Sequence, residues 1–223
     1  MSLLAPVGRL LDLALPPVCA GCGVEGAAIC DRCLPTVRSR VTLPAGTPLG
    51  LGDGPPHPLL QLEWCSPFAG VTRRALHALK YAGEQRLAVP LGEAVAARWR
   101  TAGAGGQVLV PVPVHEARRR ERGYDQAALI ADVAAAALGL PSRPAVVRVR
   151  ATAPQFRLDR RHRAANMADA FAVDPRAATS IANRWVVLVD DVVTTGSTLC
   201  EAAQALLAAG ALAVSAVTVA RER

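Results

Sequence analysis

Two adjacent carboxylates, Asp190 and Asp191, follow the apolar run Val186-Val187-Leu188-Val189 and lead into Val192-Val193-Thr194-Thr195-Gly196-Ser197-Thr198. Four β-formers in a row read as a strand buried on both faces. Side chains alternate across a strand, so neighbouring acids share one task only where the strand ends and the chain turns. There they can accept hydrogen bonds from the vicinal hydroxyls of a ribose. The loop beyond them offers backbone N–H groups, hydroxyls and a helix N-terminus, which together suit a phosphomonoester. Carboxylates for a sugar beside a cradle for its phosphate imply a ribose 5-phosphate ligand. A capped helix with Ser197 or Thr198 as N-cap would account for the hydroxyls, but not for the adjacent acids. A dinucleotide site fits less well, since this turn carries no G-x-G-x-x-G.

A second constellation lies near the other end of the chain. Cys19, Cys22, Cys30 and Cys33 form two C-x-x-C pairs. Each pair can bite one metal ion, and four thiolates make the closed tetrahedral site of a structural Zn2+. Two disulfides or a redox pair are the alternatives. Disulfides suit an oxidising compartment, and a redox C-x-x-C follows a strand and stands singly. Cys65 and Cys200 stand alone and read as small buried hydrophobes.

Two more segments face anions. Val110-Pro111-Val112-Pro113-Val114-His115 closes a strand, and Arg118, Arg119, Arg120 and Arg122 crowd the loop before Gly123. A stiffened backbone beside guanidinium groups can grip a pyrophosphate, so Val112, Pro113, Val114, Arg119 and Arg122 are candidates for that contact. Between Ala151 and Phe171 lie Gln155, Arg157, Arg160, Arg161, Arg163 and Asn166. Long loops inside domains are often lids, and this one would bring Gln155, Arg163 and Asn166 over a polyanionic ligand. A solvated basic surface is the plainer reading of both segments.

The elements that must position these groups alternate. Strands are expected at Glu63 to Ala69, Gln107 to Val112, Ala145 to Val149, Trp185 to Asp190 and Leu212 to Val219. Helices are expected at Val71 to Tyr81, Leu91 to Arg100, Tyr124 to Leu138 and after Ser197. That order predicts an α/β fold with a parallel, doubly wound sheet, whose ligands bind beyond the carboxyl ends of the strands. Residues 1–45 read as an amphipathic helix and a cysteine knuckle, 46–62 as a Gly/Pro-rich connection, and 63–223 as the sheet domain. With 52% apolar and 19% charged residues, wholesale disorder is excluded. A net charge of +7 suits nucleic acid, phosphorylated metabolites or an acidic membrane face. Trp64, Trp99 and Trp185 are the candidates for stacking on bases, at positions where core packing is as natural. Ala202 to Ala220 is uncharged and long, but Gly210 divides it into a helix and a strand. No transmembrane span is expected, and the first residues read as a helix that rests on the protein, a partner or a membrane face. The expected location is cytoplasmic, with a peripheral membrane contact as its extension.

The strand, acidic pair and Thr-Thr-Gly-Ser-Thr loop resemble the motif by which type I phosphoribosyltransferases bind 5-phosphoribosyl 1-pyrophosphate (PRPP). Over nearly its whole length the chain resembles the ComF family of competence-associated, phosphoribosyltransferase-like proteins. The resemblance rests on the tandem cysteine knuckles, Leu79-Lys80-Tyr81-Ala82-Gly83, the segment Val110 to Gln126, and Thr152, Gln155, Leu158, Arg163, Asn166, Ala170 and Phe171. Two positions depart from the family pattern: Tyr124 stands for Phe, and Asp125 for Asn, which brings a carboxylate near the pyrophosphate segment. The resemblance implies a type I phosphoribosyltransferase fold with helices on both faces of the sheet and an N-terminal zinc finger. It implies PRPP or a related phosphoribosyl ligand with Mg2+, and a role in DNA uptake during natural transformation. Asp190, Asp191 and Arg163 would then serve transfer of the phosphoribosyl group. An inactive nucleic-acid-binding module that keeps the pocket for sensing is the alternative. Single-stranded DNA and competence-machinery proteins at the inner face of the membrane are the partners so implied.

Overall fold

The apolar runs that read as buried strands form the middle of one parallel sheet. The computed structural model describes residues 16–46, 54–149 and 170–222. In chain order the elements are α1 (Leu34–Val37), β1 (Leu62–Pro67), α2 (Gly70–Tyr81), α3 (Ala88–Ala102), β2 (Val108–Pro111), α4 (Glu116–Arg122), α5 (Gln126–Leu138), β3 (Val146–Arg148), β4 (Phe171–Val173), α6 (Ala178–Ile181), β5 (Trp185–Val193), α7 (Ser197–Ala208) and β6 (Ala213–Arg221). The main sheet runs β1-β6-β5-β2, with every pairing parallel. Central strands of such a sheet are covered on both faces, which is why β5 and β6 are apolar almost throughout.

Helices α2, α3 and α5 bury Leu76, Leu79, Val95 and Ile130 against Val187, Val189 and Val217. On the opposite face Leu199 and Leu206 of α7, with Ile181 and Phe171, cover Val186 and Leu188. The helix expected after Ser197 and the Ala-rich helix stopped by Gly139 are both present. Trp64 and Trp99 are buried in the core, so neither is a stacking platform. Cys65 is fully buried, whereas Cys200 is only half-buried, its Sγ 3.7 Å from the Pro56 carbonyl.

Three elements differ from the sequence expectation. The strand expected at Ala145 to Val149 does not join the parallel sheet. Beside β2 the chain makes only a bridge at Ser142, and β3 then pairs antiparallel with β4. Pro141 and Pro144 lack N–H donors, so a continuous ladder cannot form there. The arginine-rich loop is instead the helix α4, with Glu116 in its first turn and Arg119, Arg120 and Arg122 in its last. That charge order complements the helix dipole, and Glu116 pairs with Arg120 one turn on. Finally, β5 runs past the acids to Val193.

A buried ion pair ties the chain after the knuckle to the sheet. The Arg98 guanidinium lies 2.5 Å from Glu63, and neither side chain is exposed. Arg98 also donates to the carbonyls of Arg40, Leu43 and Pro44 at 2.6, 2.5 and 3.1 Å. Such a charge is tolerable inside only because its donors are satisfied. Among the described residues, no helix is long and apolar enough to cross a membrane.

Candidate functional site

The acids do not sit at a turn, contrary to the sequence expectation; they lie within β5. What opens them to a ligand is the neighbouring strand. The β2 register ends at Pro111 opposite Val189, and the last bond is Val112 N–H to the Val189 carbonyl at 2.9 Å. Beyond it Val112, Pro113, Val114 and His115 peel away and wall a cleft of about 550 Å³, which Asp190 and Asp191 also line. Asp191 points to the face of α2 and α5, where it meets Lys80 Nζ at 2.5 Å and Gln126 Nε2 at 3.4 Å. Asp190 accepts the Asp191 N–H at 2.8 Å and also lines a small hollow with Val192, Val193, Thr194, Gly196, Ser197 and Thr198. Burial and the adjacent Asp191 carboxylate push the Asp190 carboxyl well above the usual range.

The hydroxyl loop borders the cleft through Thr198 and lines the small hollow beside it. Gly196 is the N-cap of α7 at φ +84°, a left-handed conformation that favours glycine, and a Cβ there would meet Pro56 at 2.9 Å. Gly196 has no side chain to cap α7, and Thr195 Oγ1 instead accepts the Ser197 N–H at 3.4 Å. Thr195 Oγ1 and Ser197 Oγ lie 3.1 Å apart, and Thr194, Thr195, Ser197 and Thr198 are exposed. Backbone donors, hydroxyls and a helix N-terminus thus lie beside the acids, an arrangement able to take an anion attached to a sugar.

Val112, Pro113, Val114 and Arg122 line the cleft opposite, but Arg119 does not. A helix presents side chains every three to four residues, and in α4 it is Arg118 and Arg122 that face the ligand space. Arg163, Gln155 and Asn166 lie outside the described residues. Asp125 is occupied structurally: it caps α5 through Ala127 N–H and Ala128 N–H at 3.0 and 3.2 Å, and holds Val114 N–H at 3.1 Å. It therefore anchors the loop after β2 to α5.

Six lining residues are not among the site candidates chosen from sequence: Lys80, Tyr81, His115, Arg118, Gln126 and Arg148, although His115 and Arg118 stand in the segment read as facing anions. Lys80 and Tyr81 fall in the Leu-Lys-Tyr-x-Gly element and Gln126 closes the arginine segment, so family pattern alone signalled them. Four of the lining side chains are cations (Lys80, Arg118, Arg122, Arg148) against two carboxylates. Such a balance suits a polyanion that also carries hydroxyls or a metal ion.

The four cysteines converge, with their sulfur atoms all within 4.8 Å of one another. A tetrahedral zinc with bonds of about 2.3 Å sets sulfurs about 3.8 Å apart, so the cluster can hold one zinc ion with little adjustment. The knuckles close through backbone bonds, Gly23 N–H to Cys19 and Leu34 N–H to Cys30, both at 2.9 Å. Burial pushes the Cys19 thiol up, but backbone donors at Cys30, Cys22 and Gly21 outweigh it and bring it down to about 6. Burial and the neighbouring thiols push Cys33 up to about 12. Gly21 must be glycine for space: a Cβ would lie 2.5 Å from the Cys33 sulfur. The knuckle is not a detached bead, because Cys19, Ile29, Cys33 and Val37 share a core with α2 and α3.

A parallel sheet with an acid pair and a hydroxyl loop at its carboxyl end defines a phosphoribosyltransferase-type domain, and the model of the phosphoribosyl transferase domain matches residues 67–223. DNA utilization protein YhgH of Salmonella typhi is 34% identical over 221 residues, covering 91% of this chain and 96% of that one. Competence protein F of Haemophilus influenzae is 37% identical over 101 residues, covering 45% of this chain and 44% of that one. Among solved structures, the allosteric regulatory enzyme of purine biosynthesis aligns at TM-score 0.43 and 18% identity, over 60% of this chain and 26% of that chain. The chain belongs to the ComF family of phosphoribosyl transferase domain proteins.

Proposed function

We propose that the cleft binds PRPP, or a related phosphoribosyl ligand, together with Mg2+, and that the protein acts in DNA uptake during natural transformation. One observation carries the ligand reading: the acid pair and four cations line one cleft, which Asp190 and Thr198 join to a small hollow at the N-terminus of α7. The DNA role draws on the names of the relatives, which speak of DNA utilization and competence.

In this reading Asp190 and Asp191 hold the ribose hydroxyls, and Thr194 to Thr198 take the 5-phosphate. Val112 to Val114, Arg118 and Arg122 receive the pyrophosphate, with Arg163, Gln155 and Asn166 closing from the segment between Ala151 and Phe171. Carboxylate oxygens are donors that Mg2+ accepts, and the acid pair fits that demand. When bound, Mg2+ would neutralise charge on the pyrophosphate oxygens. The chain's own task is then to fix the ribose while guanidinium groups offset charge that builds on the departing pyrophosphate. Zinc at Cys19, Cys22, Cys30 and Cys33 is structural, since four thiolates leave no ligand position for water.

The test is calorimetric titration with PRPP and Mg2+, followed by a pyrophosphate-release assay with a panel of nucleobases. Binding is expected, and the double variant Asp190→Asn/Asp191→Asn should lose it at least 100-fold while keeping its circular dichroism spectrum. Unchanged affinity in that variant rejects the site. Binding without pyrophosphate release assigns the pocket to sensing rather than transfer.

A further inference from the structure

The cleft opens onto one face of α2 that neither the core nor the proposed reaction uses. Arg73, Arg74, His77 and Tyr81 all lie exposed on that face. Tyr81 is 70% exposed and forms part of the cleft rim. Its ring stands edge-on to His77, with centroids 5.4 Å apart, and the Arg122 guanidinium lies 5.1 Å over it. Phe68, half-buried against the core, lies 6.2 Å from His77 and backs the row. At the other end, Gly70, Arg73, Arg74 and His77 line an open hollow of about 430 Å³. Arg74 also donates to the carbonyls of Ala20 and Gly21 at 3.0 and 2.8 Å, which sets the cysteine knuckle beside the row. No carboxylate among the described residues pairs with Arg73.

Alternating cations and flat rings on an open surface match what a single nucleic-acid strand presents: phosphates at regular intervals and bases with exposed faces. From Arg73 to Tyr81 the helix rises about 12 Å, the reach of roughly three to four stacked nucleotides. A free nucleobase would need only Tyr81, whereas the row continues away from the cleft to the knuckle. We infer that the α2 face Arg73–His77–Tyr81 is a track for single-stranded nucleic acid, which delivers the strand's terminal nucleotide to the cleft. Only the strand's end point rests on the sugar-phosphate reading of the cleft; the track stands without it.

The experiment is fluorescence anisotropy of the full-length protein with a 5′-phosphorylated, 3′-labelled oligo-dT across a salt series. Wild type is expected to bind with salt-dependent affinity. Arg73→Glu should weaken binding tenfold or more, and His77→Ala about threefold or more. Arg184→Glu makes the same charge change at the amino end of β5 and should leave affinity within twofold. PRPP titration of Arg73→Glu and His77→Ala should match wild type, which separates the track from the cleft. Equal losses in Arg73→Glu and Arg184→Glu would mean diffuse charge attraction and overturn the track. So would full affinity in Arg73→Glu/His77→Ala, or no oligonucleotide binding by wild type at low salt. Oligonucleotide binding that depends on the track, in a protein that ignores PRPP, would uphold this inference and refute the cleft reading alone.

Discussion

Lys80, in the last turn of α2, holds its ammonium 2.5 Å from the Asp191 carboxylate of β5, with the two side chains 19% and 9% exposed. This contact joins residues 111 positions apart and gives one member of the acid pair a counter-ion. Asp190 is half-buried, and desolvation with the adjacent Asp191 charge raises its carboxyl well above the usual range. Lys80→Met therefore strands a largely buried carboxylate, at an expected cost of about 1–3 kcal/mol after allowing for solvent screening. Chemical denaturation should show that loss, and Lys80→Met/Asp191→Asn should recover most of it. Phosphoribosyl affinity should fall in both variants. A Lys80→Met protein as stable as wild type would show the pair to be incidental.

The raised pKa of Asp190 predicts a pH dependence with a definite sign. Its contribution favours the folded state below the unfolded value of 3.8 and disappears as pH climbs through the raised folded value. Asp190→Asn lacks that titration. Its melting temperature should equal that of wild type near pH 3–4 and exceed it at neutral pH, by roughly 2–4 °C for each kcal/mol. The same variant should lose ligand binding, so stability and function would move in opposite directions. Melting curves that converge at neutral pH and separate in acid would reverse the assignment.

One zinc per chain is the expected stoichiometry by elemental analysis. Cys19→Ser/Cys22→Ser should lose the metal, and because Ile29 and Val37 share a core with α2 and α3, the variant should also melt earlier. Gly21→Ala probes the same cluster without replacing a ligand. Its Cβ would collide with Cys33, so reduced zinc retention is expected. Full zinc in Cys19→Ser/Cys22→Ser would discard the ligand set.

Arg98→Met removes the cation that faces Glu63 and three backbone carbonyls. Leaving one partner of a fully buried pair costs about 3–5 kcal/mol, and urea denaturation should show a loss of that size. Glu63→Leu/Arg98→Met should recover part of it but not all, since the carbonyls of Arg40, Leu43 and Pro44 still lack their donor. A loss below about 1 kcal/mol in the single variant would mean that water has replaced the guanidinium.

Much of this was legible along the chain because its signals are local. Spacing alone places four thiols within reach of one metal, and Val186 to Thr198 carries a buried strand, two acids and an anion loop in order. Alternating strands and helices pointed to the parallel sheet, which is present, and family pattern added its phosphoribosyltransferase type. Tertiary structure decided how the acids become accessible. They lie inside β5 and face a cleft only because β2 stops opposite Val189, and where a neighbouring strand ends is not encoded next to Asp190. It also chose Arg118 over Arg119 by folding α4, turned β3 away from the sheet, and brought Lys80 and Gln126 to Asp191. Residue type and spacing set what chemistry a segment can offer; the packing of distant elements sets which side chains share a space.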